Sequence, residues 1–141
     1  MNNGRKDVFI VRPMSGVSSS EDALRVEEIL EKLHDKDPAP KGFSVLNSWA
    51  GTPLPTNETV HDGRIWKLGS AIRQLEFADI IILVKGSWKT AKGCAIERRV
   101  IEQYFDICDR CWTVYVYDQA TKVLTDVTNE LRAAHMGIKV D

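Results

Sequence analysis

The sequence predicts one α/β domain, a three-layer sandwich with helices on both faces of a parallel sheet of four or five strands. Three observations carry this expectation. The 141-residue length suits a single core. Short apolar runs rich in β-branched residues do not alternate with polar ones, which marks strands buried on both faces. These runs also take turns with segments of helical spacing, and that order implies right-handed crossovers and a parallel sheet.

Asp7 to Val11 is the first strand, stopped by Arg12-Pro13. Ser18, Ser19 and Ser20 offer N-caps for a helix running to Lys36, with Leu24, Val26, Ile29, Leu30 and Leu33 as its apolar positions. After the breaker cluster 38–42, Phe43 to Leu46 is the second strand, and Asn47 to Asn57 a long loop. Helical spacing of Ile65, Leu68, Ile72 and Leu75 lies within a helix from about Thr59 to Phe77, which leads into the most apolar stretch, Asp79 to Val84, the central strand. A helix from Gly93 to Ile107 and a strand from Trp112 to Tyr117 follow. A weak strand around Lys122 to Leu124 and a helix from Asp126 to about Ala134 close the chain. The expected architecture is flavodoxin-like or Rossmann-like.

Hydrophobic residues make up 43% and charged residues 28%, with a formal net charge of -1, so no global field attracts nucleic acid or anionic membranes. Any anion site must be local. No stretch approaches the roughly 18 apolar residues of a membrane span, and no leader is evident, so a cytoplasmic protein is expected, with neither membrane nor direct nucleic-acid partners. Three cysteines, Cys94, Cys108 and Cys111, do not form a disulfide framework. Cys108 and Cys111 have CxxC spacing, but His34, His61 and His135 are scattered, and neither a metal nor a cofactor is expected.

In such sheets ligands sit beyond the carboxyl ends of the strands, near the topological switch point. The residues on that edge are Arg12 to Gly16 after the first strand, Asn47, Ser48 and Trp49 after the second, and Gly86 to Lys92 after the third. Glycine-ended turns at helix starts, Ser15-Gly16 and Thr90 to Gly93, suit a phosphate, and Lys89, Lys92 and Arg12 could add full charges. Glu97 falls in the first turns of the helix beginning near Gly93. It reads either as a surface glutamate stabilising a helix N-terminus or as a carboxylate that meets developing charge at an anomeric carbon. A base could stack on Trp49 or, better placed, Trp88, whereas Trp66 has core spacing.

Phe9-Ile10-Val11-Arg12-Pro13-Met14-Ser15-Gly16 resembles the first-strand motif of nucleoside 2-deoxyribosyltransferase-like proteins, especially their small phage and bacterial branch. Trp88 to Glu97, preceded by Ala78 to Leu83, is similar to that branch's second signature, a glycine followed four residues later by a glutamate. The resemblance covers roughly residues 7 to 117. It implies that Glu97 is a nucleophile at the sugar of a nucleoside or nucleotide. It also implies that Ser15 and Gly16 line the sugar-phosphate pocket, that Lys92 and Gly93 approach the phosphate, and that the protein is a homodimer or higher homo-oligomer. Together with the edge residues, the expected ligand site is Phe9, Arg12, Met14, Ser15, Gly16, Trp49, Ser87, Trp88, Lys89, Lys92 and Gly93.

The sequence departs from that pattern at four places. Phe9 replaces a tyrosine that helps orient the glutamate, and Arg12 replaces a glycine. Ala71 stands where many members carry an acid for the departing base, and Thr90-Ala91-Lys92 lacks the aspartate of the transferases proper. Loss of both acids favours hydrolysis of a nucleoside 5′-monophosphate, or ligand binding alone, over base exchange. A TIR-like, NAD-cleaving domain is the remaining alternative, less well matched by Pro13-Met14-Ser15-Gly16.

Overall fold

The structure, a computed structural model, describes residues 4–14, 16–47, 63–105 and 112–135. Its elements are β1 (Lys6–Val11), α1 (Ser19–Lys36), β2 (Phe43–Val45), α2 (Arg64–Gln74, ending in a 3-10 turn, Leu75–Phe77) and β3 (Ile80–Val84). Then come a short α3 (Ser87–Thr90), α4 (Lys92–Tyr104), β4 (Thr113–Asp118), β5 (Val123–Asp126) and α5 (Thr128–His135).

The five strands lie in the order β2-β1-β3-β4-β5. The first four are parallel, with Phe9 beside Ile81 and Val11 beside Leu83, then Ile81 beside Val114. The chain steps from β1 outward to β2 and then returns to the other side of β1 to lay down β3. The order therefore reverses beside β1, and the carboxyl ends of β1 and β3 are where a crevice is expected.

The sheet is mixed, which corrects the all-parallel expectation. β5 runs antiparallel to β4, pairing Val123 with Asp118. Only residues 119–122 separate these two partners, whereas a parallel return needs a crossover of a dozen or more residues. Asp118 shapes the turn by accepting the Ala120 N–H at 2.9 Å, and Lys122 takes a positive φ of 59°.

Alternate residues of the strands feed two cores. Phe9, Val11, Ile81, Leu83 and Val114 pack with Leu75 of the 3-10 turn and with Cys94, Ile101 and Phe105 of α4 and its end. Val8, Ile10, Ile80, Ile82, Tyr115 and Tyr117 pack with Ile29 and Leu33 of α1. β3 is buried along its whole length, as its unbroken apolar run requires. At the amino edge, Asp79 accepts the Asp7 N–H at 2.9 Å and so joins β1 to the start of β3.

Both α1 and α2 keep most of the expected inward positions, with exceptions near their first turns. In α1 the buried positions are Asp22, Ile29 and Leu33, and Leu24 is exposed. In α2 Ser70 is buried and Leu68, Ala71 and Ile72 are partly buried, with Leu75 buried in the 3-10 turn, while Ile65 is 86% exposed and Trp66 is also exposed, which corrects its assignment to the core. Ile65 and Trp66 sit in the first turn after Gly63, ahead of the part of α2 that meets the sheet.

Candidate functional site

Of the helices that begin at the carboxyl edge, α1 and α4 differ most in the chemistry of their first turns. α1 is capped by Ser18, whose hydroxyl accepts the Glu21 N–H at 3.1 Å, and carries Glu21 and Asp22 in its first turn. These satisfy an orphan N–H and offset the positive end of the helix dipole. α4 has Ala91 as its N-cap, no capping side chain and no acidic residue in its first turn. α2 and the short α3 likewise start without a capping side chain or a first-turn acid, so an open helix start is not peculiar to α4.

Arg12 leaves β1 toward α1. Its Nε donates to Asp22 Oδ1 at 2.7 Å and one terminal nitrogen to Asp22 Oδ2 at 2.9 Å, a two-pronged pair with both side chains buried. The remaining donors reach the Ile10 and Asn47 carbonyls at 3.2 and 3.1 Å. Arg25, one turn after Asp22, donates to Asp22 Oδ1 at 2.6 Å and to the Pro13 carbonyl at 2.8 Å. Burial opposes ionisation of Asp22, but the hydrogen bonds and charges of the two arginines outweigh it and hold the carboxyl below its ordinary range.

Asn47 completes this network by acting as one more strand residue. Its amide accepts the Ile10 N–H at 3.0 Å and donates to the Ile10 carbonyl at 2.6 Å. β1, the first turns of α1 and the end of β2 are thereby tied together.

Glu97 lies on the opposite side of the sheet, two turns into α4, in register with the buried Cys94 and Ile101. It is 8% exposed, and among the described residues no donor bonds its carboxyl. Burial pushes it from the ordinary 4.5 up to about 7, against a smaller pull downward from the Arg12 charge. Cys94, one turn earlier, is also buried. Desolvation first, and the Glu97 charge second, raise its thiol to about 11, opposed by a hydrogen bond with Ser87. The thiol is therefore neutral at physiological pH and is a poor nucleophile.

The residues expected to line the site divide into three groups. Phe9 is fully buried in the core under α4, and Arg12 and Ser87 are each 3% exposed. Arg12 is engaged by Asp22, and the Ser87 hydroxyl points at the Val11 carbonyl across 3.5 Å.

Met14, Gly16, Trp88, Lys89, Lys92 and Gly93 keep exposed surface. Gly16 has a φ of 79°, a conformation other residues rarely adopt, within a turn closed by Val17 N–H to the Met14 carbonyl at 3.2 Å. At Gly93 a Cβ would meet Leu68 of α2 at 3.8 Å, an ordinary packing contact that does not itself demand glycine. Lys89 and Lys92 flank the start of α4 and are exposed. Trp88 packs against the core, and the Arg98 guanidinium covers its ring at 4.2 Å from the centroid. Ser15 and Trp49 lie outside the described residues, as do Cys108 and Cys111.

Asp22 and Arg25 escaped the sequence reading, although a signal was present. Asp22, Val26, Ile29 and Leu33 form one helical stripe, so a carboxylate occupies an apolar slot and needs a partner. Among the described residues no group of three or more His, Cys, Asp or Glu could hold a metal ion, and no helix is long and apolar enough to cross a membrane. Comparison with family models, curated proteins and solved structures returned no match.

Proposed function

We propose that this chain hydrolyses the N-glycosidic bond of a nucleoside 5′-monophosphate, with the Glu97 carboxyl working at the anomeric carbon. The observation that carries the reading is the state of Glu97: a carboxyl 8% exposed, bonded by no described donor and titrating near neutrality. A buried acid without a structural partner costs stability, and strongly perturbed groups of this kind concentrate at functional sites.

The surroundings supply the rest. The uncapped start of α4, with Lys89 and Lys92 beside it, suits the dianionic phosphate of a nucleotide. A three-layer, flavodoxin-like arrangement is inferred from the strand order and from the packing of α1 on one face and α4 on the other. Doubly wound sheets bind ligands on this edge, which supports the reading.

The test is to incubate the protein with ribo- and deoxyribonucleoside 5′-monophosphates and separate the products. Free base and sugar phosphate are expected, and Glu97→Gln should lose about 10²- to 10⁴-fold in rate, the usual worth of a positioned acid or base. A panel from which no base is released, bound equally by the wild type and Glu97→Gln, overturns the reading. A second reading, a protein that binds the nucleotide without cleaving it, draws on one observation: Ala71, the position of the usual helper acid, is an alanine packed against the core. It requires the ligand to be recovered intact.

A further inference from the structure

We propose that copies of this chain associate head to tail, with the acidic outer face of α1 on one copy seated on the basic, partly apolar outer face of α2 and α4 on the next. This inference is independent of the nucleotide chemistry.

The net charge of -1 conceals a separation of charge across the sheet. α1 packs on one face of the sheet, and α2 and α4 pack on the other. On α1 the exposed charged residues are Glu21, Glu27, Glu31 and Asp35 against one base, Lys36. On α2, its 3-10 turn and α4 they are Arg64, Lys67, Arg73, Lys92 and Arg99 against one acid, Glu76. Ion pairing within the chain does not cancel this pattern. Glu28 pairs with Lys122 and Glu102 with Arg98, whereas Glu27, Glu31, Asp35, Arg73 and Arg99 have no ion pair among the described residues.

Helical periodicity gathers each set into one stripe. Leu24, Glu27, Glu31 and Asp35 fall on the side of α1 opposite Ile29 and Leu33, and the three carboxylates span about 12 Å of helix. Leu24 is 68% exposed among them. On the other face, α2 and α4 each lead back to a parallel strand and so run in the same direction. Gly93 of α4 lies against Leu68 of α2. Arg73 and Arg99, five and six residues further along, are therefore level with each other, on helix axes about 8–10 Å apart. Ile65, Trp66 and Ile96 are exposed on the same two helices and give Leu24 an apolar counterpart.

Like charges disfavour the two symmetric alternatives. A twofold contact between α2/α4 faces sets Arg73 and Arg99 against their own copies, and one between α1 faces does the same to Glu27 and Glu31. Contact of unlike faces places carboxylates on guanidiniums instead. Because the two faces lie on opposite sides of the sheet, each docked copy keeps one face free for the next. Such a heterologous contact grows into a ring or a filament.

The experiment is sedimentation of the full chain over a concentration series at about 0.05 M and 0.5 M salt. Mass should rise with concentration at low salt and return toward the monomer at high salt, where exposed charges are screened. Two variants then test the faces, Glu27→Gln with Glu31→Gln and Arg73→Gln with Arg99→Gln. All four positions are exposed, so the changes leave the fold intact. Each variant alone should stay monomeric, and their mixture should give a one-to-one dimer and nothing larger, since each keeps one working face. A wild-type chain that is monomeric at every concentration overturns the proposal. So does a variant that still associates alone, or a mixture no heavier than its components. Single-stranded oligonucleotide bound by a monomeric wild type and lost in Arg73→Gln with Arg99→Gln assigns the basic face to a polyanion and also overturns it.

Discussion

α1 and α4 each carry an acidic residue in a slot of the buried helical stripe, near the same edge of the sheet, and they treat it in opposite ways. Asp22 is gripped by Arg12 and shared with Arg25, and its carboxyl stays ionised. Glu97 has comparable burial, no bonded donor among the described residues, and a proton it holds to about pH 7. The difference separates a carboxylate used for architecture from one left without a directed donor. Burial is common to both, and what distinguishes them is whether donors are directed at the oxygens.

The sharpest way to break the comparison is to remove the Asp22 charge. Asp22→Asn leaves the Arg12 guanidinium buried without a counter-ion, and the expected loss is about 3–5 kcal/mol in urea unfolding at pH 7. A loss below about 1 kcal/mol, the range of exposed pairs, would mean that Arg12 finds water or another acceptor and that the pair is not structural.

Glu97→Gln should act in the opposite direction. The wild-type carboxyl ionises at an ordinary 4.5 when unfolded and at about 7 when folded. Between these values the folded state binds more protons, so stability falls as pH rises and levels off above 7. The gap corresponds to roughly 3 kcal/mol, present in the wild type as a penalty at pH 8 and absent at pH 4. Glutamine removes it, so Glu97→Gln should equal the wild type near pH 4 and exceed it by about that amount at pH 8 in urea titrations at both pH values. Equal pH dependence of the two proteins would mean that Glu97 has an ordinary pKa and would remove the contrast with Asp22.

Much of this architecture is legible in the sequence. β1, β3 and β4 announce themselves by apolar runs, and β3 is buried from Ile80 to Val84 as its composition demands. The direction of β5 was legible too, because residues 119–122 cannot make a crossover. Glu97 could be placed on the edge from spacing alone. Its burial could not, since helical position gives a face while the depth of that face depends on how α2 and α4 meet at Gly93 and Leu68. The direction of Arg12 was hidden for a similar reason. A cation after a strand points to one face or the other, and only the inward turn of Asp22 decides that it is spent on α1.

At the open helix start, Lys89 and Lys92 should affect ligand and not fold. Replacing either by alanine is expected to change stability by less than about 0.5 kcal/mol, because both are exposed and bonded to no described group. The same changes should weaken nucleoside monophosphate binding by about tenfold, the worth of one charge-assisted contact, measured by calorimetry. Removal of a lysine charge at the far end of α1, Lys36→Ala, should leave binding unchanged, since Lys36 closes that helix at the opposite edge of the sheet. Equal effects at both helices would contradict the assignment of the phosphate to α4.

The smallest effect is expected at Trp88. Arg98 lies over the indole and also bonds Glu102 at 2.7 Å, one turn along α4. Each contact is partly solvated, so Arg98→Ala should cost about 1 kcal/mol or less in total. Its value lies in the ligand readout. With the guanidinium in place, a base that stacks on that face must first displace it, and a stacked base is worth about 1–3 kcal/mol. If Trp88 receives the base on the face Arg98 covers, Arg98→Ala tightens nucleotide binding and the ligand quenches Trp88 fluorescence more strongly. If affinity is unchanged while stability drops slightly, Trp88 is a core residue with a cationic lid, and the base is held elsewhere on the edge.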